Sequence, residues 1–371
     1  MSKMAVREVA SRRDRERFVG LPYRLHRGDR CWTPMLRRDV RKLLSPEKNP
    51  FFQQACAALF LAEKDGRVVG RAAAIENRAH NAYHADRAGF FGFFECEDDA
   101  VAARALLERC ADWLRSRKLD CMRGPMSPST NDECGLVVFG HEHPPTLMTP
   151  HSPPYYEGLL HAAGLEKVKD LYLWRHRTDS LPERLARGAE AVARRYKVTL
   201  RALRKERLDE EVDLVRSLYA SAWERNWGFV PMSDREMDNL AAELKPIVVP
   251  ELFVFMERDG ETLGFAGALP DMNQALRSNP SGRMFPGLLR ILWATRKIDT
   301  VRVLLLGLRP EQRGLGLDAL LFNWLWTKAG ELGYTWGEAG WVLEDNAPMN
   351  NALLRFGFDR YKTLRLYERA L

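Results

Sequence analysis

None of the 371 residues falls in an apolar run approaching the ~20 residues a helix needs to cross a bilayer. The N-terminus is basic but runs directly into the charged segment Arg12 to Arg17, with no apolar core of the signal-peptide kind. A cytoplasmic protein is expected, with peripheral association at the inner membrane face as its variant. Cysteine is sparse: six residues, at 31, 56, 96, 110, 121 and 134, all in the first half and without a Cys-x-x-Cys pair. A disulfide framework or a cysteine-held metal cluster is not expected, and reduced structural thiols are. His141-Glu142-His143 can place two imidazoles on one face of a strand, but no third ligand stands at a matching spacing, so no metal is expected. Strong charge of one sign is also missing. The balance is 57 Lys and Arg against 50 Asp and Glu, net +7, a modest excess that suits polyanionic partners.

The strongest local signal is RPEQRGLGLDALLFNWLWTKAGELGY, Arg309 to Tyr334. Before it, VRVLLLGL (Val301 to Leu308) is apolar and of strand length. After Gly316, Leu317, Leu320, Leu321, Trp324, Leu325 and Lys328 recur at helical spacing. A buried strand therefore feeds a glycine turn and a helix. The first N–H groups of that helix lack intrahelical acceptors and carry the positive end of its dipole. Such a turn holds phosphate. Gly314 and Gly316 let the backbone approach an anion, and Arg309 and Arg313 add charge.

Downstream, Thr335 to Val342 reads as a strand, a short helix follows Asn346, Gly357-Phe358 ends it, and Tyr361 to Tyr367 reads as a last strand. Strand, Arg-Gly turn, helix, strand, asparagine-started helix, Gly-Phe and closing strand together resemble the GNAT superfamily of acyl-CoA N-acyltransferases. The resemblance covers Val301 to Leu371. It implies acyl-CoA as co-substrate, held by Leu306, Leu308, Arg309, Gln312, Arg313, Gly314, Leu315, Gly316 and Asn346, and an amine as acceptor. Two positions depart from the family pattern. Asp318 stands where glycine or alanine is usual, and its carboxylate can compete with a diphosphate for the helix terminus. Leu353 stands where many members carry the tyrosine that protonates the leaving thiolate.

The chain also repeats. LFLAEKDGRVVGRAAAI (Leu59 to Ile75) lies over FVFMERDGETLGFAGAL (Phe253 to Leu269) without a gap, as a hairpin turning at Asp-Gly. LLHAAGLEKVKDLYLW (Leu159 to Trp174) matches LRFGFDRYKTLRLY near the end at nearly the same offset. The expected fold is α/β, two tandem GNAT-like units with mixed central sheets flanked by helices. The division expected is 1–178 and 179–371, joined near a basic helix, Leu181 to Arg195. Where the second copy has its glycine turn, the first has Glu95, Glu97, Asp98 and Asp99. Carboxylates at a helix N-terminus cap it and repel diphosphate, so the first copy is expected to bind no CoA.

Two long connections remain. Gly124 to Gly158, rich in Pro, Gly and Ser, reads as a functional loop in which Asn131, Asp132, His141, His143, His151, Tyr155 and Tyr156 could meet a substrate. Between the second hairpin and the strand at Val301 lies an insertion containing RMFPGLLRILWATRKI, Arg283 to Ile298. A cationic amphipathic helix with Phe285 and Trp293 can lie in a membrane interface, line an apolar channel, or pack as a core helix. Trp293 joins Asn131, Tyr155 and Tyr156 as an acceptor-contact candidate. For the proton transfers the candidates are Glu338, a lone acid in the strand WGEAGWV, then Glu344, Asp271 and Tyr361, with Tyr367 or water as further proton donors. Within the superfamily, the length, the duplicated layout and the insertion resemble enzymes that N-acylate a sphingoid base, with a long-chain acyl donor. Two readings stand beside it. Aminoacyl transfer from a charged tRNA would use the basic run Arg194, Arg195, Lys197, Arg201, Arg204, Lys205 and Arg207 on a helix, though Asp209, Glu210 and Glu211 follow at once and disfavour nucleic acid. A non-catalytic acyl-CoA or lipid binder would explain Leu353 and Asp318.

Overall fold

A computed structural model of the protein describes residues 4–180, 183–224 and 226–371. The first half runs β1 (Met4–Glu8), α1 (Arg12–Leu25), α2 (Arg37–Leu43), β2 (Ala55–Lys64), β3 (Arg67–Asn77), α3 (Arg78–His84), β4 (Ala88–Cys96) and α4 (Ala100–Ser116). It continues through β5 (Cys121–Gly124), β6 (Met126–Ser127), β7 (Glu133–Cys134), β8 (Leu136–Phe139), α5 (Tyr156–Ala162) and β9 (Glu166–Arg177). The second half opens with α6 (Glu183–Tyr196), β10 (Thr199–Ala202), α7 (Leu208–Trp223), α8 (Asp234–Leu244), β11 (Phe253–Arg258) and β12 (Glu261–Pro270). It closes with α9 (Met272–Leu276), α10 (Gly287–Ala294), β13 (Thr300–Leu308), α11 (Asp318–Glu331), β14 (Trp336–Leu343), α12 (Ala347–Arg355) and β15 (Asp359–Ala370).

Two compact units form. Unit 1 holds Met1–Leu171, Asn273–Arg296 and Lys362–Leu371. Its strands β1 to β4 pair antiparallel in sequence, β4 pairs parallel with β5, and the end of β15 lies antiparallel to β5 and β8. The β2–β3 turn places Asp65 and Gly66 at φ of 51° and 79°, the left-handed pair that an Asp-Gly hairpin supplies. Helix α4 starts at Asp99, whose carboxylate accepts from the N–H groups of Val101 and Ala102. Leu106, Leu107, Cys110, Ala111 and Leu114 recur on one face of that helix and are buried in the unit's core. On the other side Phe18, Val19 and Leu21 of α1 pack with Leu61 and Val68.

Unit 2 holds Tyr172–Met272 and Lys297–Tyr361. Strands β10 to β13 pair antiparallel in order and β13 pairs parallel with β14, which repeats the pattern β1-β2-β3-β4-β5. Its hairpin turns at Asp259 and Gly260, φ 51° and 84°. Leu320, Leu321, Leu325, Trp326 and Ala329 of α11 are buried with Val301, Val303 and Ala339 of the sheet. Gly337 must be glycine because a Cβ there would stand 2.4 Å from the Trp326 ring.

The compact units exchange segments relative to the halves 1–178 and 179–371. The insertion sits in unit 1 because its backbone is tied there. Asn273 Nδ2 donates to the carbonyls of Pro145 and Thr146 at 3.1 and 2.7 Å, and Arg37 donates from its N–H to Gly282 O at 2.9 Å. The last ten residues also sit there, with Lys362 Nζ on His143 O at 2.7 Å and the Tyr367 hydroxyl on Glu157 at 2.8 Å. Three expectations change in detail. The run Arg194 to Arg207 is not one helix: α6 ends at Tyr196, Lys197 turns at φ 52°, and Arg201 lies in β10. Leu181, the expected start of the joining helix Leu181 to Arg195, lies outside the described residues. The segment Gly124 to Gly158, read as a loop, contains three short strands and the start of α5. Of the four carboxylates before α4, only Asp99 caps it. Glu95 instead lies within β4, next to its terminal Cys96, where its carboxylate meets His26 Nε2 at 2.8 Å and the Tyr156 hydroxyl at 2.7 Å.

Candidate active site

Strands β13 and β14 pair only from Thr300↔Trp336 to Val303↔Ala339, while β13 continues to Leu308 against β12 alone. At the same point the register on the β12 side slips between Gly267 and Ala268, a bulge at Leu304. Val301, Arg302 and Val303 are buried, whereas Leu304, Leu305 and Leu306 are half-exposed. A strand flanked on both sides is expected to be buried throughout, so this change marks an opening beside β13. The Leu304–Leu308 edge that faces away from β12 has no strand to pair with among the described residues, which leaves backbone donors and acceptors for an extended ligand.

Past Leu308 a single 3₁₀ turn, Pro310–Gln312, leads to Gly314 and Gly316, both at φ near 75° (74° and 77°), and to α11. No backbone carbonyl accepts from the N–H groups of Gly314 to Asp318 among the described residues. Leu317, the N-cap residue, offers no side-chain cap. A Cβ on Gly314 would meet nothing within 4 Å, so the turn is open on the side an anion would approach. Asp318 is the first residue of α11 and half-buried, and no hydrogen bond or ion pair to its carboxylate is found among the described residues. Gln312 carries a buried Oε1 without a partner, and Arg309 is held to β12 by its Nε on Thr262 O at 2.8 Å. Leu306 and Leu308 lie on β13, and Arg313 is exposed. Asn346 caps α12 by accepting from Met349 N–H at 3.3 Å. Leu353 is fully buried in the core, with no route to a sulfur.

At the last turn before the strands part, Arg302 and Glu338 face each other across β13 and β14. Residues opposite in a ladder share a face, and here they form an ion pair of 3.1 Å with 3 % and 2 % of each side chain exposed. The other Glu338 oxygen takes a short hydrogen bond from the Tyr361 hydroxyl. Burial, then the Glu338 charge, pushes the Tyr361 pKa well above the usual phenol range, so this hydroxyl stays protonated. Asp271, 2 % exposed at the end of β12, acts on it in the same direction, and Arg302 opposes. Arg175 stacks its guanidinium 5.1 Å from the Tyr361 ring and 5.3 Å from that of Trp336, with its Nε buried and unpartnered. Glu344 is half-buried in the turn before α12. The structure therefore brings together Glu338, Tyr361 and Asp271, and adds two arginines that the sequence reading passed over. The signal for Arg302 was present: an arginine inside VRVLLLGL is as costly to bury as a glutamate inside WGEAGWV, and each is explained by the other.

The remaining candidates lie in unit 1. Tyr156 is buried with its hydroxyl on Glu95, Tyr155 donates to Cys96 O at 2.9 Å, and both pack in the unit's core. Asn131 sits in the Ser129–Asp132 turn, its N–H on Ser129 Oγ at 3.1 Å, and Trp293 is 61 % exposed on α10. Tyr367 is bound to Glu157 in this unit. His141 meets Ser152 O at 3.1 Å. A different trio, His26, Asp29 and His151, gathers donor atoms within 4.8 Å of one another, and His151 hydrogen-bonds Asp29 there at 2.9 Å. Unit 1 repeats the parting of parallel strands, since β4 and β5 pair only from Ala88 to Phe90, but its wedge is filled. Phe93 N–H donates to Ser127 Oγ at 2.8 Å, and Met126 O stands only 1.6 Å from where a Cβ of Gly92 would be. β6 occupies the place that is open beside β13.

No family model matches the chain. By structure, it is similar to a tandem GNAT protein from the clavulanic acid biosynthesis pathway, with TM-score 0.57 and 12 % identity over 99 % of this chain and 98 % of that one. A GCN5-related N-acetyltransferase from Sphaerobacter thermophilus gives 0.54 and 12 % over 99 % and 95 %. The fold is thus that of the tandem GNAT proteins. By sequence, it is 34 % identical to a bacterial ceramide synthase of Caulobacter vibrioides, over 99 % of this chain and 98 % of that protein. It is 32 % identical to Protein YghO of Escherichia coli K12, over 99 % and 95 %. The chain belongs to the family of these two proteins, a family of GNAT-type N-acyltransferases.

Proposed function

We propose that unit 2 takes an acyl-CoA at the opening beside β13 and transfers its acyl group to the amine of a sphingoid base. The observation that carries this reading is the parting of β13 from β14 before a turn whose N–H groups from Gly314 to Asp318 lack backbone acceptors among the described residues. Those N–H groups, with Arg313 and Gln312, suit a diphosphate. The free edge of Leu304 to Leu308 suits an extended amide chain and a thioester carbonyl. The class of acceptor is supported by the relative's name and by the exposed apolar insertion. The paired arginines weigh against tRNA, since Arg201 and Arg204 are held by Glu211, and Arg207 by Glu210.

The reaction forms a C–N bond, breaks the C–S bond, and moves one proton from nitrogen towards the departing sulfur. Glu338 already spends one oxygen on Arg302 and the other on Tyr361, so its part is to fix the phenol. With its proton directed to Glu338, the Tyr361 oxygen can accept the amine proton as its own passes to the carboxylate, a two-residue relay. Asp271 and Glu344 are the other carboxylates that could receive the ammonium proton. The thiolate takes its proton from water or from the relay. Asn131, Tyr155 and Trp293 remain proposed acceptor contacts, and Tyr156, buried with its hydroxyl on Glu95, would position that carboxylate instead of touching the acceptor.

Thermal unfolding with CoA, acetyl-CoA and palmitoyl-CoA tests the site. A ligand at 100 times its Kd adds about 2.7 kcal/mol to folding, several degrees in Tm. Gly316→Glu puts a carboxylate in the turn and should abolish that shift, at roughly 1–2 kcal/mol of strain for a non-glycine residue at positive φ. An undiminished shift in the variant would remove the cofactor from this turn. Release of CoA thiol on adding a sphingoid base then separates a transferase from a binder, which would bind and release nothing.

A further inference from the structure

From Met272 to Ile298 the chain holds no acidic residue, yet it holds Arg277, Arg283, Arg290, Arg296 and Lys297. Four large apolar side chains in the same segment face solvent: Phe285, Leu289, Leu292 and Trp293 are 75, 68, 56 and 61 % exposed. The other large apolar side chains exposed among the described residues are scattered through the chain, at Tyr83, Val101, Phe139, Leu332 and Leu354. Scattered apolar residues are ordinary on a surface, but a clustered set is not. Leu289, Leu292 and Trp293 stand at i, i+3 and i+4 on one face of α10, and Phe285 stands one turn before them.

This face is held out by a fixed scaffold. Gly287 and Ile291 are buried on the opposite side of α10. The preceding turn is anchored through Arg37, whose N–H and Nε reach Gly282 O and Ser281 O at 2.9 Å each, and through Asn279 Nδ2 on Arg283 O at 2.8 Å. A Cβ on Gly282 would come 2.3 Å from the Tyr23 ring, so this turn and α1 pack in direct contact. The helix thus has one buried side and one exposed apolar side, and Arg283, Arg290 and Arg296 are exposed around it. A second copy of the chain is a poor occupant, because a two-fold contact would oppose the same cations. An anionic bilayer matches both parts, since Trp, Phe and Leu enter the headgroup–acyl boundary while arginines meet phosphates.

We propose that α10 and the Phe285 turn dock this protein peripherally on an anionic phospholipid surface. The docking follows from exposure and charge in unit 1 and does not depend on the acyl-transfer reading. If that reading also holds, docking brings the enzyme to where long-chain donors and acceptors partition.

The test is co-sedimentation of the full chain, without substrates, with vesicles of phosphatidylcholine alone and with added phosphatidylglycerol. Binding to the mixed vesicles, weakened by salt, is expected, and Leu289→Ser with Leu292→Ser should lower that affinity by ~10-fold or more. Arg290→Glu should reduce the preference for the anionic lipid. Unchanged thermal unfolding shows that the variants fold, and unchanged palmitoyl-CoA stabilisation separates docking from acyl-CoA binding. Independently, Trp293 fluorescence, taken as the difference between wild type and Trp293→Phe, should shift to the blue on adding anionic vesicles. Failure of the wild type to sediment with anionic vesicles, equal binding by the double serine variant, or an unshifted Trp293 would each overturn the proposal. So would a dimer, seen by light scattering, that the serine variant dissolves while vesicles bind neither protein.

Discussion

Arg302, Glu338 and Tyr361 form the residue-scale core of the proposed chemistry, with the buried Glu338 carboxylate bound to both of the others. Tyr361→Phe removes the hydroxyl and leaves one Glu338 oxygen without its donor, at a cost of about 1–3 kcal/mol. Acyl transfer should slow by about 100-fold or more while palmitoyl-CoA stabilisation persists, and kcat beside Tm reads both. Full activity in that variant would remove the relay. Two histidines carry a pH dependence. Burial, then the charges of His84 and Arg123, brings His80 down to about 4 from 6.5, and burial, then His26, does the same to His151. Unfolded, both take a proton near 6.5; folded, only near 4. Between those values the unfolded chain holds more protons, so stability falls as pH drops through that window, by at most about 1.4 kcal/mol per pH unit for each histidine. Urea midpoints across the window, compared with His80→Leu, should show a shallower slope in the variant. At this scale Glu338 and Tyr361 were each legible in the sequence, but their pairing with one another and with Arg302 was not, because strand register and tertiary packing place the three together.

Elements divide between those that local chemistry specifies and those that need a neighbour. Both Asp-Gly hairpins, the glycine turn and α11 follow from residues within each element. Strand β6 does not. It has two residues, pairs with β7 alone, and is seated by its packing against β4 at Gly92 and Phe93. The sequence FFGFF shows a glycine without saying what approaches it. Gly92→Ala would drive a methyl group into Met126 O, so unit 1 should lose several kcal/mol or be forced to expel β6. Calorimetry and proteolysis of the Gly124–Gly158 segment would report this, and a variant as stable as wild type would refute the wedge packing. The basic run that begins in the last turn of α6 was misread as one helix because charge spacing resembles a helix face, whereas the edge of β11 claims Arg201 for a strand.

At the scale of the whole molecule, the two units draw on non-contiguous sequence. Unit 1 takes its last strand segment from the chain's final residues, where Leu364, Leu366 and Tyr367 are buried against it. Deleting Lys362–Leu371 should therefore strip hydrogen-exchange protection from β4, β5 and α4, which lie far earlier in the sequence. Protection there that survived the deletion would show that unit 1 closes without β15. The repeat in the sequence counts two copies, and the packing redistributes their segments.

The sequence by itself determined the class of fold, the duplication, and the turn that suits a diphosphate. The turn rests on glycine positions within a few residues, the class of fold on the family resemblance of Val301 to Leu371, and the duplication on segments that match at one offset. Only the tertiary structure decided that the first copy's wedge is filled by β6, that Glu338 is held by Arg302 and Tyr361, and that the insertion presents its apolar face outward. Those outcomes depend on which distant segment wins a given edge or face, a competition of burial and hydrogen bonding that no local stretch records.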